Sequence, residues 1–344
     1  MEKKCIGCGA YLQTENEKAI GYVKSTDMDY CVRCFKLIHY DQHIDENIEL
    51  DNDDLISDLA SIDGQYVWVI DLFDLESSLN SVLADFFKSH YCHIILNKCD
   101  LLPKTINYNK LANYLLKRLK EIDVKTLSIM TRGIDNDFVE AFDSQLDITQ
   151  PIIITGLANV GKSTIINHLL GKKIVTTNRF PATTININEI VDEKYHIYDT
   201  VGIINTGSVQ MYLTTAQLKK VLPVKTVRPT VFQLHQPQSY CIEGLAKVEI
   251  QTSKEITAVF YLSNQLEIHR TSASNDYFHK HFDELAIKTE GCTVSDLKKH
   301  SFTNEGKTDY FISGLGFITI TGHNVKVIIE TDKRIKVMKR EAMI

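Results

Sequence analysis

Apolar and polar positions along the first two thirds of the chain alternate between short continuous runs and helical periodicity. Tyr66 to Leu72 and Tyr91 to Leu96 are apolar runs fit for buried strands, and Leu79 to Lys88 between them reads as a helix. The three make a strand-helix-strand unit. Leu111, Leu115, Leu116, Leu119 and Ile122 then recur on one broad helical face, followed by a short strand over Val124 to Leu127. Pro151 to Thr155 is another apolar run. It enters a glycine-containing loop, after which Thr164 to Leu170 carries apolar residues at helical spacing. Ile185 to Val191 and Tyr195 to Tyr198 are further strand candidates. The sum predicts an α/β sheet. From 224 onward the pattern changes to many short strand-like runs, Val248 to Gln251, Thr257 to Leu262, Phe311 to Ile320 and Val325 to Glu330, with a helical patch near Tyr277 to Ile287. That pattern predicts an α+β module dominated by antiparallel sheet.

At 344 residues two or three compact units are expected, and 44% hydrophobic with 24% charged residues is ordinary for a soluble globular protein. The net charge of -6 argues against a general polyanion binder. Charge is unevenly spread. Residues 1–220 hold 22 Lys and Arg against 30 Asp and Glu, and residues 221–344 hold 16 against 14, so any nucleic-acid surface must be local. No apolar run reaches about 18 residues, and the first residues lead into cysteines, so a cytoplasmic protein with no membrane contact is expected.

In that compartment eight cysteines point to metal or buried thiols. Cys5-x-x-Cys8 and Cys31-x-x-Cys34 lie 22 residues apart, close to the spacing of two zinc knuckles. Four thiolates complete a tetrahedral shell, so the site should be structural, and His39 and His43 are read as surface or core residues. Cys92, Cys99, Cys241 and Cys292 are most simply buried thiols. Asp45 to Asp63 carries eight acidic side chains and no Lys or Arg, which marks a solvated linker or helix face at a domain boundary.

The chemistry centres on Gly156-Leu157-Ala158-Asn159-Val160-Gly161-Lys162-Ser163, which fits G-x-x-x-x-G-K-[ST] between a strand and a helix. Backbone N–H groups from Gly156 through Asn159, Val160, Gly161 and Thr164 can converge on phosphates beside the helix N-terminus. Lys162 can reach the β- and γ-phosphates and the Ser163 hydroxyl can ligate Mg2+. Asn97-Lys98-Cys99-Asp100 at a strand end fits N-K-x-D. The Asp100 carboxylate can accept from guanine N1–H and N2–H2 together, Asn97 can tie the loop to the phosphate loop, and the Lys98 stem can cover the base. Ser128 and Ile129 are assigned to the guanine O6 contact. Pro181-Ala182-Thr183-Thr184 fits a first switch with Thr184 on Mg2+, and Asp199-Thr200-Val201-Gly202 fits a second, in which Asp199 holds Mg2+ through water and the Gly202 N–H senses the γ-phosphate. The base-reading motif comes first in the chain, whereas an ordinary GTPase presents it last. An unpermuted chain would need N-K-x-D after Gly202, and the nearest candidate, Asn264-Gln265-Leu266-Glu267, lacks both Lys and Asp.

With these motifs in this order the chain resembles the YqeH-type circularly permuted GTPases, bacterial small-subunit ribosome assembly factors. The cysteine knuckles, Asp71-Leu72-Phe73-Asp74, Asn97 to Asp100, the phosphate loop, Asp199 to Gly202 and Ser313-Gly314-Leu315-Gly316-Phe317 carry the likeness over nearly the whole length. Ala182, Val201, Ile129 and Glu76-Ser77-Ser78 depart from the family's usual residues. The resemblance implies a four-cysteine zinc-finger domain (1–44), a circularly permuted P-loop GTPase domain (45–223) and a C-terminal α+β domain that meets RNA or the ribosome (224–344). It implies GTP and GDP as ligands and a small ribosomal subunit or its precursor rRNA as partner, with no DNA partner and a monomeric state. Ile203 stands where many small GTPases orient the attacking water with Gln, so slow hydrolysis is expected, and Asn159 resembles the loop residue that helps bind K+ in potassium-activated GTPases. A module in which nucleotide sets conformation and hydrolysis is secondary is the alternative. Lys326 to Arg340 has six basic residues against two acidic, which could meet RNA or form a solvated strand edge.

Overall fold

In the computed structural model residues 52–344 are described, apart from 80, 105, 134–136, 172–177, 180–186, 201 and 204, and of the first 51 residues only 11–15, 22, 23, 25 and 28. Cys5, Cys8, Cys31, Cys34 and Thr184 therefore lie outside the described residues.

Among the described residues the chain builds two sheets. The first takes β1 (Gln65–Asp71), β2 (Cys92–Asn97), β3 (Thr126–Thr131), β4 (Ile152–Thr155), β5 (Asn178–Arg179), β6 (Ile187–Val191) and β7 (His196–Thr200), in the spatial order β3-β2-β1-β4-β7-β6-β5. The pairs β2–β3, β1–β2, β1–β4 and β4–β7 are parallel, and β5 and β6 are antiparallel. Helices α1 (Asn52–Ser61), α2 (Leu75–Ser78), α3 (Ser81–Ser89), α4 (Tyr108–Glu121), α5 (Phe138–Gln145) and α6 (Lys162–Leu170) follow or precede the strands they connect. Val67, Trp68, Val69 and Ile70 of β1 and Ile152, Ile153 and Ile154 of β4 have no exposed surface, because strands covered on both faces bury every side chain and not alternate ones. β4 is central, with β7 on one side and β1 on the other. Strands whose motifs are split in sequence are thus neighbours in space, and their C-terminal ends share one edge, the crevice in which open α/β sheets bind ligands. The N-K-x-D loop leaves β2 and the phosphate loop leaves β4, so the half of the sheet that carries the base-reading motif precedes, in the chain, the half that carries the phosphate motif.

Sequence periodicity locates β1, β2, β4 and β7 closely. It places β3 too early, at Val124 to Leu127, whereas the strand runs on to Thr131.

After α7 (Thr215–Val221) the second sheet comprises β8 (Thr230–Leu234), β9 (Gln238–Ile242), β10 (Ala246–Gln251), β11 (Ile256–Leu262), β12 (Ile268–Ser272), β13 (Leu297–Ile312), β14 (Gly316–Asp332) and β15 (Val337–Glu341), with α8 (Tyr277–His281) inserted. All its pairings are antiparallel. The expected single run Phe311 to Ile320 is instead a reversal. Ser313-Gly314-Leu315 joins the long strands β13 and β14, Ile312 pairs with Gly316, and the Leu315 N–H bonds the Ile312 carbonyl at 3.0 Å. The sheets meet through apolar contact: Val227, Phe311, Phe317 and Met343 belong to the same buried cluster as β1 and β4. The four described cysteines, Cys92, Cys99, Cys241 and Cys292, are buried free thiols.

Candidate functional site: a nucleotide crevice at the strand ends

The loop from Gly156 to Gly161 leaves β4 at the shared edge, and α6 begins at Lys162. Beside it opens a cleft of about 540 Å3 whose lining includes Asn159, Lys162, Ser163, Thr164, Asp199 and Gly202. Gly161 is required by a close approach: at φ +95 it leaves room for Asn97, whose Nδ2 would lie 2.4 Å from an added Cβ. Asn97 Nδ2 donates to the Val160 carbonyl at 2.7 Å, and Arg132 donates to Asn97 Oδ1 at 3.0 Å. Lys98, itself in the left-handed region at φ 62, donates to the Asn159 carbonyl at 2.8 Å and to Asp71 Oδ2 at 2.6 Å. Two distant stretches of sequence are thereby clamped into one rim.

The Gly133 α-carbon packs against the Asp100 carboxylate, and the Cys99 N–H bonds the Arg132 carbonyl at 3.2 Å. Ser128 and Ile129 do not reach this loop. They lie inside β3, where Ser128 pairs with His93 in register and their side chains bond at 2.7 Å. The extra residues of β3 carry the end of the strand to Thr131, so Arg132 and Gly133 occupy the position beside Asp100 that was expected for Ser128 and Ile129. Sequence reasoning misses Arg132 and Asp71 as site residues. The signal for Asp71 is its place in Asp71-Leu72-Phe73-Asp74, a stretch to which the sequence alone assigns no role.

Lys162 is buried, and Nζ donates to the carbonyls of Gly156 at 3.1 Å and Leu157 at 2.9 Å. Burial pulls its ammonium down to about 8, opposed by the charge of Asp199. Asp199 is pushed up to about 6 by burial, opposed by Lys162 and by the Ser163 hydroxyl. Its Oδ1 is buried with no hydrogen-bond partner. An orphaned carboxylate oxygen next to a serine hydroxyl is the donor chemistry that suits a hard cation. Among the described residues no group of three metal-ligating side chains forms by itself. The second switch lies against the phosphate loop: Ala158 N–H bonds Ile203 O at 2.9 Å and Ile203 N–H bonds Gly156 O at 3.2 Å. Ile203 is buried, so no side-chain polar group stands at that position. Asn159, at φ 63, donates from Nδ2 to Gln210 Oε1 at 3.4 Å.

Residues 151–260 match the family model described as "50S ribosome-binding GTPase", and residues 255–343 match "YqeH-like, C-terminal". The uncharacterised protein YqeH of Bacillus subtilis (strain 168) is 32% identical over 372 positions, covering 100% of both chains. The chain belongs to the YqeH family. It is therefore a circularly permuted GTPase, in agreement with the base-reading motif on β2 preceding the phosphate loop after β4. NO-associated protein 1, chloroplastic/mitochondrial, of Arabidopsis thaliana is 24% identical over 92% of this chain and 69% of its own. The solved GDP-bound YlqF is 26% identical, covering 49% of this chain and 67% of that one, with a TM-score of 0.32. In this YqeH-family chain the segment after the switches stays near the base-reading loop: Thr226 Oγ1 donates to Asp100 O at 2.8 Å and the Val227 N–H to Leu101 O at 2.8 Å. Among the described residues no helix is long and apolar enough to cross a membrane.

Proposed function

We propose that the protein is a GTP-driven switch in the assembly of the small ribosomal subunit, hydrolysing GTP slowly to GDP and phosphate. The observation that carries this reading is the pair of hydrogen bonds from Asn97 and Lys98 to the phosphate loop, which make one pocket of a base-reading motif and a phosphate motif. In it Asp100 pairs with guanine, while Gly156, Asn159, Val160, Gly161, Ser163 and Thr164 surround the phosphates with Lys162. The O6 contact falls to the backbone of Arg132 and Gly133. Ser163 and Asp199, with Thr184, hold Mg2+, which supplies charge to the β- and γ-oxygens when bound. Gly202 senses the γ-phosphate. Ile203 offers no group to align water, which supports slow hydrolysis. Asn159 lines the cleft, so K+ is proposed to bind beside it and stimulate hydrolysis. Zn2+ is proposed on Cys5, Cys8, Cys31 and Cys34 from their spacing. The proposed units are a zinc domain (1–44), the GTPase domain (45–223) and a ribosome-contacting domain (224–344), in a cytoplasmic monomer.

The basic run 326–340 adds little support for RNA contact, since four of its six basic residues are engaged within the chain, Lys339 with the Thr303 carbonyl among them. Lys333 pairs with Asp296 at 2.8 Å, Arg334 with Asp332 at 2.6 Å, and Arg340 is buried. Co-sedimentation with purified small and large ribosomal subunits, with GDP and a non-hydrolysable GTP analogue in K+ or Na+ at several salt concentrations, tests the proposal. Tighter, salt-resistant binding to the small subunit in the GTP form is expected. Preference for the large subunit, or none for either nucleotide, would overturn it. The burial of Ile203 favours a second reading, in which nucleotide only sets conformation. A variant that binds GTP without hydrolysing it would then still complement a deletion strain.

A further inference from the structure

We infer that Asp71 is a positioning residue for guanine-nucleotide binding, acting through Lys98. The inference rests on the reading of Asn97 to Asp100 as the base-reading loop. Asp71 ends β1 and pairs in register with Asn97, the last residue of β2, so its side chain emerges where that loop begins. The carboxylate is nearly buried and each oxygen has a separate duty. Oδ2 accepts from Lys98 Nζ at 2.6 Å, while Oδ1 accepts the N–H groups of Phe73 at 2.9 Å and Asp74 at 3.4 Å. Its own N–H donates to Ser78 Oγ at 3.1 Å. The acceptor is therefore fixed by backbone before any nucleotide arrives.

Lys98 needs such an anchor. An ammonium on a four-carbon stem has many rotamers, and ordering it on binding is costly. The Asn159 carbonyl at 2.8 Å supplies one acceptor, and Asp71 supplies the second, which is charged. Together they stretch the Lys98 stem across the rim between base loop and phosphate loop, where it would cover the face of the base. Uncoupled from Asp71, the lysine would sample solvent and the two loops would lose one of their two ties. Both Asp71 oxygens are taken up by Lys98 and backbone N–H groups, so its effect on the ligand passes through Lys98.

The test is a double-mutant cycle on the full chain, reading GDP and GTP affinity by fluorescent-nucleotide titration together with kcat and KM. Asp71→Asn keeps an oxygen for the Phe73 N–H and removes the charge. It is expected to weaken both nucleotides about tenfold while changing kcat at saturation less than twofold. In a Lys98→Met background the same change is expected to shift affinity less than twofold. Equal loss in both backgrounds, or no loss in the first, would overturn the inference. Asp71→Ser, which also preserves an acceptor for Phe73, carries the same comparison if the Asn variant folds poorly. Asp100→Ala separates the two levels of the argument. If it leaves guanine affinity unchanged, the base-loop reading fails and this inference with it; if it abolishes guanine preference while Asp71→Asn does nothing, only the role of Asp71 is lost.

Discussion

Lys162 and Asp199 face each other in a cleft that takes both out of water, and the two shifts have opposite consequences for the empty protein. Asp199 is raised, so the folded state prefers it protonated, and this contribution to stability is lost as pH rises through about 6. Lys162 is depressed, so the folded state prefers it neutral, and that contribution is lost as pH falls through about 8. Between about 6 and about 8 both groups are charged at a cost, and this is the window in which a polyphosphate with its cation has charges to meet. Asp199→Asn is therefore expected to raise the stability of the nucleotide-free protein at pH 7, by on the order of 1 kcal/mol in urea unfolding, while abolishing Mg2+-dependent tightening of GTP binding. Magnesium-dependent affinity should also fall as pH drops below about 6. At this scale the sequence was informative wherever a motif is local: the phosphate loop and Asn97 to Asp100 are each contiguous, and Asn97 and Lys98 bond the Val160 and Asn159 carbonyls. It was uninformative for Arg132 and Gly133, because their place depends on where β3 stops, and strand ends are set by pairing with β2 and not by local pattern.

The turn between β13 and β14 ties the second sheet to the first by hydrogen bonds. Ser313 Oγ lies 2.7 Å from Ser77 Oγ and accepts from Asn205 Nδ2 at 3.1 Å. Gly314 donates its N–H to Asp74 Oδ1 at 3.1 Å and accepts from Gln210 Nε2 at 3.2 Å. One glycine thus joins the turn after β1, which Asp71 shapes, to the segment after the second switch, where Gln210 also meets Asn159 of the phosphate loop. Asp74 is pushed up to about 7 by burial and by neighbouring Asp71, which its hydrogen bonds from Gly314 and Ser77 only partly offset. Gly314 sits at φ +75, and an added Cβ would fall 2.0 Å from Ser208 Oγ. Gly314→Ala should cost about 1–3 kcal/mol by urea unfolding, and adding Ser208→Ala should return part of it. Full cost in both backgrounds would assign the loss to the backbone angle alone. The turn was hidden in sequence because Phe311 to Ile320 is apolar through and around it. Phe311, Ile312, Leu315 and Phe317 are all buried, so no break in hydrophobicity marked the reversal. Ser313-Gly314 was the available turn signal.

On the scale of the whole molecule, the permuted order leads the chain from the second switch straight into the second sheet, which then returns to pack on the first. The return is not only apolar. Arg340 of β15 is almost fully buried between Glu76 of α2, at 3.5 Å, and Asp309 of β13, at 3.4 Å, with its guanidinium 5.1 Å from the Phe317 ring and 5.9 Å from Tyr114. Burial alone would raise Glu76, but the Arg118 hydrogen bonds and the charge of Arg340 overcome it and hold the carboxyl below its ordinary range. A charge network that spans both sheets ties their unfolding together, since breaking it from either side strands a buried charge. The two sheets should therefore unfold together in one transition. Arg340→Met replaces the cation with an apolar chain of similar reach, leaving Asp309 and Glu76 without it. The expected loss is about 3–5 kcal/mol, because the uncompensated carboxylate of Asp309 has no exposed surface from which to reach water. Asp309→Asn together with Arg340→Met removes the Arg340–Asp309 pair, leaves Glu76 to Arg118, and should recover much of that loss. Calorimetry of the two variants reads the outcome. A second, separate transition in Arg340→Met alone would identify this cluster as what makes the two sheets one cooperative unit, and an unchanged single transition at the parent temperature would leave the shared apolar cluster and the hydrogen bonds of Ser313 and Gly314 as sufficient ties.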